Sequence, residues 1–242
     1  MIRFDKLPLN TRLLNAFSEL NIDFVFQPIY SLKENKIFAY EALMQPAEGT
    51  LEELFDLYTR KRELHTLELA TFYGATMAYC EKGYKEPFFV NSFPCELFLP
   101  MELEEFDKNF PKEIIEKIMV QIIEYPELNY MNWNLKKKQF EARNTIIALD
   151  NFGAGYNDIT TSYIVEPHIV MLDKDLIENI ANNTRIQHNF KKIIDMFHKD
   201  NKTENFTPGF ICVLHTFGRD LKWNPHIHCL LTEGGYSDDG FW

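Results

Sequence analysis

An α/β fold, a TIM-like barrel of β/α units, is the architecture the 242-residue sequence predicts. Two observations carry it. Short apolar runs rich in β-branched and aromatic residues recur along the chain, separated by longer segments of helical period. Polar residues able to do chemistry, namely Glu41, Asn91, Asp150 and Asp173, fall at or near the ends of those runs, where such barrels gather their functional side chains.

Taken in order, strands are expected over 23–30 and 36–43. The stretch 31–35 that joins them suits a hairpin, which makes the first strand antiparallel, because a parallel pair needs a crossover of roughly a dozen residues. Helices follow over 51–60 and 64–81, then strands over 88–91, 118–123, 145–150 and 169–172, then helices over 175–181 and 187–198. Lys136-Lys137-Lys138 reads as a solvated turn between two strands. Phe24, Phe26, Phe88, Phe89 and Phe93 read as core rather than as a stacking platform for a base. Glu124 and Asp173 read as ordinary carboxylates ending strands. His65, His168, His188 and His198 have no partner spacing and read as surface or packing residues. A polar linker begins near Asp200.

Composition narrows the function. The net charge of −11 argues against a general polyanion binder, since phosphate affinity comes mainly from clustered Lys and Arg. Cys80, Cys95, Cys212 and Cys229 are scattered and form no Cys-x-x-Cys pair, so neither a zinc knuckle nor a disulfide framework is indicated. No segment is apolar over a membrane-spanning length, and the N-terminus lacks the long apolar run of a signal peptide. A reduced, cytoplasmic setting away from membranes is the expectation.

Beyond composition, six short segments occur in a telling order: Phe26-Gln27-Pro28-Ile29, Tyr40-Glu41-Ala42-Leu43, Phe89-Val90-Asn91-Ser92, Val120-Gln121-Ile122-Ile123-Glu124, Leu149-Asp150-Asn151-Phe152-Gly153-Ala154-Gly155-Tyr156-Asn157, and Pro167-His168-Ile169-Val170-Met171-Leu172-Asp173. The series resembles the EAL domain family, which hydrolyses cyclic di-GMP. The resemblance implies a TIM-like barrel with an antiparallel first strand and two divalent cations, Mg or Mn, that activate water. Glu41 matches the signature Glu, Asn91 the asparagine ligand and Asp150 the first of an Asp-Asp pair. Gln27 matches a residue facing the nucleotide pocket.

Four departures weaken that chemistry. Gln121 stands where the family has a metal-binding Glu, and Asn151 where it has the second Asp. Each swap keeps an oxygen and loses a full charge, leaving too little to hold two dications about 3.5–4 Å apart. Met171 stands where a lysine assists the attacking water, a group whose loss typically costs about 10²- to 10⁴-fold. Gln45 replaces the arginine that grips a phosphate, reducing a charged bidentate contact to a neutral amide. At most one weakly bound ion is expected, at Glu41, Asn91 and Asp150.

After about residue 200 the likeness ends, and the family's Ala-Glu-Gly-Val-Glu motif and closing Gln-Gly are missing. From 207 to 242 the chain resembles instead an internal piece of an HUH-class rolling-circle transposase, on Phe210 to Arg219 and Asn224 to Gly235. His226 and His228 alternate as that class's metal pair does, yet only Tyr236 follows and nothing marks it as the nucleophile. The expected organisation is an incomplete barrel over 1–200, a linker over 201–206 and a foreign segment over 207–242, with its apolar runs 210–217 and 227–232 docking in place of missing strands. The expected function is a degenerate EAL domain with little phosphodiesterase activity, weak cyclic di-GMP binding, and pairing of two copies through the Phe152 to Tyr156 loop. The alternatives are a slow one-ion phosphodiesterase and, least favoured, a DNA-nicking fragment; nucleic acid is not an expected partner.

Overall fold

The structure, a computed structural model, describes residues 1–31, 34–126, 128–153, 155–173, 176, 182–200, 207–217, 223–237 and 240–241. The chain forms two compact units: residues 1–28, 39–121 and 127–145, and residues 29–38, 122–126 and 146–242.

Strands of the first unit run in the order β1 (Ile22–Ser31), β2 (Lys36–Pro46), β3 (Phe88–Ser92) and β4 (Ile118–Ile122). The four residues between β1 and β2 are too few for a parallel crossover, as the sequence predicts. β2 and β3 are parallel, with Tyr40 opposite Phe88, Glu41 opposite Phe89 and Ala42 opposite Val90. Helices α1 (Thr11–Phe17), α2 (Leu51–Lys61), α3 (Leu64–Lys82), α4 (Pro100–Asn109), α5 (Lys112–Ile115) and α6 (Tyr130–Glu141) complete the unit.

Local chemistry sets their ends. The Thr50 hydroxyl accepts from the Glu53 N–H at 3.2 Å while the Glu53 carboxylate accepts from the Thr50 N–H at 2.8 Å, a reciprocal cap that starts α2. The Asn10 and Asn129 side chains cap α1 and α6 by accepting from backbone N–H groups of the first turn, a one-way version of the same device. α3 is buried nearly throughout, from Leu64 to Tyr79, and stops at Gly83, whose φ of 67° suits glycine. Its Tyr79 ring stacks on Phe88 at 4.0 Å. Phe24, Phe88, Phe89 and Phe93 are buried and Phe26 meets Tyr79, Tyr84 and Phe88 edge-on, so the phenylalanines are core.

α6 overturns the reading of Lys136-Lys137-Lys138 as a solvated turn. The run lies inside a helix, and Lys136 is fully buried against the Glu68 carboxylate at 2.6 Å. Trp133, Lys136 and Phe140 share the inward face at helical spacing, so the first lysine of the run takes a core position. Helices α1, α4, α5 and α6 fall outside the helices the sequence predicts, as does the later helix over Ile159–Val165.

Strands of the second unit run in the order β5 (Ile147–Phe152), β6 (Ile169–Leu172), β8 (Trp223–Ser237) and β7 (Thr207–Phe217), with β9 (Gly240–Phe241) paired to β8. β5 and β6 are parallel, their register shifting between Leu149 and Phe152. Helices α7 (Ile159–Val165) and α8 (Thr184–Asp200) follow β5 and β6. Most of the helix predicted over 175–181, and the linker over 201–206, lie outside the described residues.

The predicted docking of the C-terminal runs takes an unanticipated form. β8 pairs antiparallel to β6, with Ile169 opposite Thr232, Val170 opposite Leu231 and Met171 opposite Leu230. β7 pairs antiparallel to β8 and therefore runs parallel to β6, one place removed. The helical crossover after β6 skips a strand position, and the hairpin's second arm fills it.

Candidate functional site

In the first unit the predicted residues converge on adjacent strands. Glu41 projects from β2, Asn91 from β3, Gln121 from β4 and Gln27 from β1. Glu41 and Gln121 are buried, at 8% and 1% exposure, and the Gln121 Nε2 donates to Glu41 Oε1 at 3.0 Å. Only the NH₂ edge of an amide can face a carboxylate, so this contact fixes the orientation of Gln121. Its Oε1 is left buried and unpartnered, as are Asn91 Oδ1 and Gln27 Nε2. Gln45, also on β2, is half-buried.

Unsatisfied buried polar atoms are costly, and three of them lie on the neighbouring strands β1, β3 and β4 of this sheet. The two amide oxygens and the Glu41 carboxylate are the oxygen donors a hard cation prefers, although the Gln121 amide already engages one Glu41 oxygen. They carry a single formal charge, too little for two dications. Among the described residues no group of three or more His, Cys, Asp or Glu side chains could hold a metal.

In the second unit, buried Asp150 lies within β5, two residues before its end, and accepts from the Asn151 N–H at 2.9 Å. Asn151 takes a left-handed φ of 47°, which asparagine tolerates better than most residues. Asn157 donates to the Asp150 carbonyl at 2.6 Å and its own carbonyl accepts from the Gly153 N–H at 2.7 Å, closing the loop on itself. Met171 is buried in β6. The Asp173 N–H donates to the Phe152 carbonyl at 3.0 Å.

Sequence reasoning undervalued Glu124. Its carboxylate accepts from the Tyr156 N–H at 3.0 Å, and a Cβ at Gly155, where φ is 50°, would fall on it. Glu124 is therefore a clamp on the 153–157 loop, and glycine at 155 is what lets it approach. His65 was also misjudged: it lies half-buried between Glu96 at 3.3 Å and Glu102 at 2.9 Å. Hydrogen bonding to Glu96, then to Glu102, raises its pKa against the opposing effect of burial. His168 Nδ1 accepts from the Ile147 N–H at 3.1 Å, and His188 is exposed. Burial pushes the Cys95 thiol up to about 12. His215 lies opposite His226 in the β7–β8 hairpin.

The EAL domain model matches residues 10–203, and the chain belongs to the EAL domain family. A transposase family model matches residues 209–242. Over 166 residues the chain is 24% identical to the blue light- and temperature-regulated antirepressor BluF of Escherichia coli, covering 66% of this chain and 41% of that protein. Over 41 residues it is 42% identical to the transposase for insertion sequence element IS801 of Pseudomonas savastanoi, covering 17% of this chain and 10% of that protein. The chain thus spans under half the length of either curated relative.

Among solved structures, a standalone EAL protein from Vibrio cholerae in a cyclic di-GMP-bound form superposes with a TM-score of 0.62 at 22% identity, covering 76% of this chain and 79% of that one. Klebsiella pneumoniae BlrP1 in a manganese and cyclic di-GMP complex gives 0.61 at 17% identity, covering 75% and 47%. These likenesses show the fold: an incomplete TIM-like barrel of the EAL kind. No helix among the described residues is long and apolar enough to cross a membrane.

Proposed function

We propose that this EAL domain binds cyclic di-GMP weakly and hydrolyses it little or not at all. The observation that supports this best is the 3.0 Å hydrogen bond from Gln121 to Glu41. An amide donor, standing where the family resemblance places a second carboxylate, occupies the Glu41 oxygen that a metal would need. The site answers the Glu41 charge with a neutral dipole, and polar ligand atoms would meet Gln27, Asn91 and the free Gln121 oxygen. Buried Met171 can neither donate a proton nor carry charge toward an attacking water.

A bound divalent cation would supply water activation and charge balance, and Glu41 and Asn91, with Asp150 as the resemblance implies, would hold it. The buried, unpartnered oxygens of Asn91 and Gln121 favour a second reading, a slow one-ion phosphodiesterase. The remaining features belong to the proposal too: a cytoplasmic setting, an EAL part to about residue 200 followed by a transposase-derived segment, and pairing of two copies through the loop bearing Tyr156, which is 59% exposed.

Calorimetry with cyclic di-GMP, with and without Mg or Mn, paired with chromatography of the nucleotide, tests both readings. Weak binding without linear product supports the first reading, and robust metal-dependent turnover refutes it. Asp150→Ala should abolish any divalent affinity. Restoring Gln121→Glu, Asn151→Asp, Met171→Lys and Gln45→Arg together should still leave activity poor, because the family's closing motifs are not in the sequence.

A further inference from the structure

Beside the Asn91 end of β3 sits a buried ion pair that the site chemistry does not use. Glu68 of α3 and Lys136 of α6 are both fully buried and meet at 2.6 Å. Glu68 Oε1 also accepts from the Ser92 hydroxyl at 2.7 Å, and its Oε2 accepts from the Phe93 N–H at 2.9 Å. Lys136 Nζ donates to the Phe93 carbonyl at 2.8 Å and lies over the Phe98 and Phe140 rings at 5.0 and 5.8 Å. Both backbone polar groups of Phe93 and the side chain of Ser92 are thus held by one buried charge pair. These are the two residues that follow Asn91.

Two facts give this arrangement a role. Buried ion pairs contribute little net stability compared with apolar replacements, because desolvation offsets the attraction. What they supply is fixed geometry, since moving any member leaves a charge or a backbone group unpaired in the interior. Asn91 needs such a fixture: its Oδ1 is buried with no hydrogen-bond partner, so no hydrogen bond to that oxygen aims it. Its direction then depends on packing and on the backbone at 91–93 that carries it.

We propose that Glu68 and Lys136 are positioning residues for Asn91, holding the turn after β3 so that the Asn91 carboxamide is presented to ligand. The proposal rests on the ligand-binding reading of this site. The pair acts through the backbone and does not touch the ligand.

The test is the double variant Glu68→Gln, Lys136→Met, which removes both charges while residue 68 keeps a donor and an acceptor for the Phe93 backbone. The readout is the Asn91 side-chain NH₂ pair in an ¹⁵N–¹H correlation spectrum of the full chain, identified by its loss in Asn91→Asp. In the parent, one sharp and well-dispersed pair is expected. In the folded double variant it should broaden or move toward the random-coil position, and cyclic di-GMP should bind at least ten-fold more weakly. Ser92→Ala, which removes one donor to Glu68 and spares the ion pair, should move the same signal less and keeps the test open if the double variant does not fold. An Asn91 signal unchanged in a folded double variant, or unchanged in Ser92→Ala when only that variant folds, overturns the proposal. Failure of the parent to bind cyclic di-GMP refutes the ligand reading separately, because the spectral readout needs no ligand.

Discussion

Gln121→Glu puts a second carboxylate within about 3 Å of the Glu41 carboxylate, both of them buried. If both ionise, their repulsion at an effective dielectric of about 20 is about 5.5 kcal/mol. Keeping one protonated costs about 1.4 kcal/mol for each pH unit above the ordinary Glu pKa near 4.3, or about 4 kcal/mol at pH 7 and about 1 kcal/mol at pH 5. Protonation is the cheaper route at both values, so the pair shares a proton and one folded-state pKa is raised. A raised carboxyl pKa gives stability that is present at low pH and lost as pH rises toward and through the folded value. The Tm deficit of the variant against the parent should therefore grow by about 6–12 °C between pH 5 and pH 7, taking about 2–4 °C per kcal/mol for a chain of this size. Mn²⁺ should recover much of the loss at pH 7, because the second carboxylate completes a charged oxygen site. Thermal melts by circular dichroism at both pH values, with and without the ion, provide the assay. An equal deficit at pH 5 and pH 7 refutes the reasoning, since the two side chains would then not face each other.

Three further outcomes are expected. Stability from His65 should be fully present below the ordinary histidine pKa and lost as pH rises through its raised folded value, so His65→Asn should cost about 2–4 °C in Tm at pH 6 and less at pH 9; a pH-independent deficit contradicts the bridge to Glu96 and Glu102. Gly155→Ala should destabilise by about 1–3 kcal/mol in urea melts, because the left-handed backbone and the Glu124 carboxylate both oppose a Cβ there; an unchanged midpoint rules out the loop clamp. Deleting everything after Asn205 strips β8 from β6 and should give an insoluble or clearly less stable protein; a soluble truncation with the parent's Tm means that the hairpin adds nothing to the fold.

Strands β3 to β6 were legible because each is a short, nearly unbroken apolar run, and buried strands announce themselves that way. α6 was not legible. Its inward face includes Lys136, and a lysine whose partner lies 68 positions away in Glu68 reads as solvent-facing in any local pattern. The spacing of Trp133, Lys136 and Phe140 behind the Asn129 cap was the available signal. The order of the motifs singles out Glu41 and Asn91 as candidates, but the contact between Gln121 and Glu41 spans 80 positions and is a product of tertiary packing. The clamping role of Glu124 was not legible for the same reason, its partner Tyr156 lying 32 positions on. The C-terminal strands were visible as apolar runs; their antiparallel insertion beside β6 was not, because strand direction depends on the route of the whole connection.

That insertion has a consequence for how the polypeptide is made. β6 ends at Leu172, while the segment that pairs with it, Leu230 to Thr232, is translated about 60 residues later. At about 5–20 residues per second, the flank of β6 waits roughly 3–12 s for its neighbour. The hairpin itself closes in about 1–10 μs once its second arm is synthesised. Ribosome traffic, rather than any folding barrier, therefore sets the interval in which a nascent chain can be captured by holdases or by its siblings on the same polysome. Slow codons between 173 and 229 would lower the yield of intact protein without altering a single contact in it.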